Sequence, residues 1–129
     1  MTEIKTLTKI ALVVNAIIWL LFGVMLIFLF DMALNPEGWT NPVHPRALGG
    51  LMLISSLFAV LMLRKKEWEE IKFTFTFMLG MCTTMFIIEV TVLMVFASTF
   101  MAGTVSQMIL DLIILGTKIT LNIIAYIKQ

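Results

Sequence analysis

The chain has 129 residues, 60% of them hydrophobic and only 13% charged, with a formal net charge of +1. A soluble domain of this length could not hide so much apolar surface, because its surface-to-volume ratio demands a polar exterior. The near-neutral charge supplies no basic face for nucleic acid, and Cys82, the only cysteine, rules out an intramolecular disulfide and a thiolate metal cluster.

Lipid is therefore the expected solvent, and the apolar runs can be taken in order. Between Lys9 and Asp31 lie 21 uncharged residues, which at 1.5 Å each cover about 30 Å, the thickness of a hydrocarbon core. A secretory h-region is shorter, at about 7–15 residues, and no small-x-small cleavage motif follows Phe30. The run is expected to be a retained transmembrane helix over 10–30. It carries Asn15, and it carries Trp19 near mid-membrane, where packing is the reason expected for it.

The segment Asp31–Arg46 holds all three prolines and the only histidine. Asn35-Pro36-Glu37-Gly38 spells a β-turn, with proline presetting φ and glycine supplying freedom. Trp39 is expected at the membrane interface. Asp31, Glu37 and His44 match no ligand spacing, so they are assigned to a polar surface loop and no metal site is expected. Pro45 suits the opening of a second helix spanning 47–64. Only 17 residues separate Arg46 from Arg64, but arginines at both ends can snorkel outward. Within this span Gly49, Gly50, Ser55, Ser56 and Ala59 form a small-residue surface suited to close helix packing. Its partner could be intramolecular or a second protomer.

A charged turn, Arg64–Lys72, follows, with Trp68 expected at the interface. From Phe73 to Leu110 there are 38 residues with Glu89 as the only charge, and one helix of that length would reach about 57 Å, nearly twice the hydrocarbon core. The chain must fold back. The weakest stretch runs from Ala97 to Gln107, and Thr104 with Gln107 fits a capping box that opens a helix. The third and fourth spans are thus expected at 72–97 and 106–127. All four runs exceed a membrane β-strand and lack alternation, which favours helices. The expected fold is all-α: a single domain, 1–129, forming an antiparallel four-transmembrane-helix bundle in the cell membrane.

Lys5, Lys9, Arg64, Lys65, Lys66, Lys72 and Lys128 fall on one side, and only Arg46 on the other. This bias places both termini in the cytoplasm.

Three ionisable residues lie inside the spans: Glu89, Asp111 and Lys118. Each costs roughly 2.5–3.5 kcal/mol on insertion scales, so each needs an account. Asp111 and Lys118 are seven apart and share a helix face with Asn122. Depth bookkeeping pairs Glu89 with Lys118, Asp111 with Arg46, and Asn15 with Asn122. Either the pairs are structural, or Glu89, Asp111 and Lys118 line a path for a proton, an ion or a polar solute.

No nucleophile–base set is visible, so catalysis is not expected; with His44 the only histidine, haem held by two histidines is excluded, and no cofactor is expected. The function expected is that of a small membrane protein acting through assembly. It would work as a homo-oligomer or as an accessory subunit of a larger membrane complex. The alternative is a small ion- or proton-coupled transporter or channel.

Overall fold

Phe28, Phe73, Met94 and Ile127 turn 72%, 83%, 81% and 75% of their surfaces outward, which would be untenable in water and is ordinary in lipid. The structure, a computed structural model, describes residues 2–30 and 43–129. Four helices in it are long and apolar enough to cross a membrane. Helix α1 covers Thr6–Val24 and continues through a π-helical stretch, Met25–Leu29. Helix α2 covers Val43–Leu63, α3 covers Trp68–Phe96 and ends in a 3-10 turn, Ala97–Thr99, and α4 covers Ala102–Lys128. The fold is all-helical, as lipid requires of a chain that must satisfy its backbone internally. The β-turn at 35–38 and the placements of Asp31, Glu37 and Trp39 lie outside the described residues.

The helices overrun the apolar runs. Lys9 sits inside α1 and Lys72 inside α3, because a long stem lets the ammonium reach water while the backbone stays helical. Helix α4 opens at Ala102 with Met101 as its N-cap and no side-chain cap. Thr104 therefore lies within the first turn, and the capping box expected at Thr104 and Gln107 is not the start of the helix. The reversal is made instead by extended backbone at Phe100 and Met101 after the 3-10 turn.

Helix α1 packs most extensively on α2, and α4 packs against both α1 and α3. The α1–α2 crossing rests on two glycines. A β-carbon on Gly49 would lie 2.9 Å from the Gly23 carbonyl oxygen, and one on Gly23 would lie 2.9 Å from the Gly49 oxygen. The backbones touch there, as small residues permit in lipid. Ser56 strengthens the crossing by donating to the Ala16 carbonyl at 2.7 Å, and Ala59 is fully buried. Ser55 turns back to its own helix, donating to Leu51 at 2.9 Å. Gly50, by contrast, has nothing within 4 Å of a β-carbon. It lies off the contact face.

Both termini and the α2–α3 turn gather at one end. Ile4 donates to the Lys66 carbonyl and Trp68 donates to that of Thr2. The Lys5 backbone donates to the Gln129 side chain at 2.9 Å, whose amide donates to the Glu3 carbonyl at 2.8 Å. Trp68 is only 7% exposed and meets Phe75 and Tyr126 edge-on at 5.5 and 5.6 Å. The ring expected at the interface is thus packed within the end of the bundle that holds both termini.

Candidate functional site

The side chains that carry chemistry are strung along α4, and two antiparallel seams decide who meets whom. Along the α1 seam, Lys118 lies on Trp19, Asn122 on Asn15 and Gln129 on Thr8. Four residues separate the first two rungs and seven the next, on both helices, so each partner falls on one face. The Lys118 ammonium stands 3.0 Å from the centroid of the Trp19 ring. Asn15 donates to the Asn122 side-chain oxygen at 2.7 Å, and Asn122 donates back at 3.3 Å and to the Lys118 carbonyl at 2.8 Å. Thr8 donates to Gln129 at 2.8 Å.

Along the α3 seam, Lys118 is coupled electrostatically to Cys82, and Glu89 to Asp111. Seven residues again separate the rungs on each helix, a rise of about 10.5 Å. The ion pair expected between Glu89 and Lys118 does not form, because Lys118 Nζ and Glu89 Oε2 are each buried without a partner. No ion pair joins Asp111 to Arg46 either; among the described residues Lys65 pairs with Glu70 at 2.9 Å, at the end that holds both termini. Among the described residues, Lys118 Nζ, Trp19 Nε1 and Glu89 Oε2 are buried without a hydrogen-bond partner.

The Lys118 side chain is nevertheless 1% exposed, and Cys82 is fully buried. Face-on contact with Trp19 supplies electrostatic attraction in place of an anion. This role could not be found by matching acids with bases; the signal was Trp19, the one tryptophan at mid-span depth. Between the Asn15 and Thr8 rungs, α1 presents Ala11 and Leu12, both fully buried. The seam is therefore polar in steps, with a dry interval toward the end that holds the termini.

The half of the α3–α4 hairpin next to its turn differs. No residue from Thr83 to Ile114 is buried within the chain, and this stretch contains Glu89 and Asp111. Comparison with known proteins gives no matching family model, no matching curated protein and no matching solved structure.

Proposed function

We propose that this is a multi-pass protein of the cell membrane that acts through assembly, with the outer half of the α3–α4 hairpin as its contact surface. Its termini face the cytoplasm, following the lysine and arginine bias. One observation carries the reading: from Thr83 to Ile114 the hairpin has no fully buried residue, and its two carboxyl residues, Glu89 and Asp111, are only half-buried within the chain. Carboxyls at such depth ordinarily face protein or water rather than lipid. The small-residue face of α2 does not serve this purpose, since Gly49, Ser56 and Ala59 are already used against α1. The partner is a second copy or another membrane subunit. Mass measurement in nanodiscs tests this: an assembly is expected, and a clean monomer of 14.6 kDa plus lipid with full helical structure would oppose it.

A second reading, ion- or proton-coupled transport, draws on the Glu89–Asp111 couple, where a proton or cation would relieve like-charge repulsion. Pure protein in liposomes decides it, with pH-gradient-driven flux as the signal and a Glu89→Gln/Asp111→Asn double variant as the control. The buried Ala11–Leu12 interval favours assembly over a conduit.

A further inference from the structure

At the inner end, Lys9, Leu63, Arg64, Lys65, Lys66 and the acids Glu3 and Glu67 surround an open groove of about 650 Å³. Leu63 is the last residue of α2, so the groove opens where that helix leaves its apolar span. Lys65 is engaged by Glu70 at 2.9 Å. Lys9, Arg64 and Lys66 have no ion pair among the described residues and offer three cations to one opening. Further along the two helices from the groove-lining Lys9 and Leu63, Ile10 on α1 and Leu61 on α2 are 49% and 42% exposed, so exposed apolar side chains follow the charges into each span.

From this arrangement we infer a binding site for the headgroup phosphate of an anionic phospholipid, its acyl chains lying along the exposed apolar sides of α1 and α2. Arginine forks onto phosphate oxygens, while lysine contributes a point charge. The exposed apolar side chains that follow the cations along α1 and α2 distinguish a lipid from a soluble phosphate, which has nothing to place there. Glu3 and Glu67 oppose the anion. Their backbones clasp the terminus to the α2–α3 turn through a β-bridge, so their side chains can be changed without removing that link.

The test uses the full chain in mild detergent, titrated with phosphatidylglycerol or phosphatidylcholine and read by native mass spectrometry. Phosphatidylglycerol is expected to be retained preferentially. A basic side chain near an anionic surface is worth roughly fivefold in affinity, so Lys9→Gln/Arg64→Gln/Lys66→Gln together should weaken retention about a hundredfold. Lys72→Gln, outside the groove, should leave it unchanged. Glu67→Gln should tighten it, a gain that a misfolded variant could not mimic. Inorganic phosphate at millimolar concentration should not displace the lipid. Unchanged retention in the triple variant, an equal loss in Lys72→Gln, no gain in Glu67→Gln, or displacement by inorganic phosphate would each overturn the assignment.

Discussion

Lys118 and Trp19 form a charge-on-ring contact inside the span, with the ammonium 3.0 Å from the ring centroid and no hydrogen-bond acceptor on Nζ. The lysine is thus held by an aromatic face and by its place at the junction of the α1 and α3 seams. Replacing Trp19 with Leu removes that face and strands the ammonium. A desolvated contact of this type is worth about 2 kcal/mol or more, to which lost packing adds. Lys118→Met removes the charge while keeping the stem, so stability should hold or rise. In the Lys118→Met background, Trp19→Leu should cost less than in the wild type. A double-mutant cycle by denaturant unfolding measures the difference, and strict additivity would contradict the contact.

Asn15 and Asn122 fix the register one turn further in. Asn15→Leu leaves the Asn122 amide short of its partner, and hydrogen bonds between membrane helices average about 0.6 kcal/mol with a maximum near 1.7. A loss within that range is expected for either single change. The double Leu variant should recover most of it, because two apolar side chains leave nothing unsatisfied. Thermal unfolding in detergent reads all three.

Gly49 and Gly50 should respond oppositely to the same substitution. Gly49→Ala drives a methyl against the Gly23 carbonyl at 2.9 Å, and an overpacked contact typically costs about 1–3 kcal/mol. Gly50→Ala enters open space and should be neutral or slightly stabilising, since alanine restricts the unfolded chain. Equal effects at the two positions would place the helix crossing elsewhere.

Glu89 was expected to be Lys118's counter-charge, and the structure makes the opposite prediction for its removal. A buried pair broken on one side loses about 3–5 kcal/mol. With Asp111 as its neighbour, Glu89→Gln relieves like-charge repulsion and should leave the unassembled chain at least as stable as the wild type. Unfolding in detergent with dissociated protein checks this, and a loss of several kcal/mol would restore the ion pair.

Much of this was legible in the residues. Charged positions bracketed the four apolar runs because an ionised side chain is expelled from hydrocarbon, and the Asn15–Asn122 contact followed from depth. The helix ends did not follow, because lysine stems let helices continue past the first charge, as at Lys9 and Lys72. The pairing of Glu89 was missed because depths were counted for each helix separately. The rungs lie seven residues, about two turns, apart, so an error of one turn on each helix is enough to exchange one antiparallel rung for the next. Gly49 and Gly50 looked alike in sequence because adjacent residues differ only in helix phase, and phase is set by the neighbour. Trp19 as the partner of Lys118 was hidden because an aromatic ring carries no formal charge to match.

The assembly surface is tested most directly by site-specific photocrosslinking in the native membrane. Ile88, on the half of α3 next to the α3–α4 turn, and Phe58, on α2, are similarly exposed, at 55% and 47%, so a crosslinker at each samples its surroundings comparably. A protein adduct of defined mass is expected from position 88, with only lipid adducts from position 58. Lipid adducts alone at position 88, or an equal protein adduct at position 58, would contradict assembly through the hairpin.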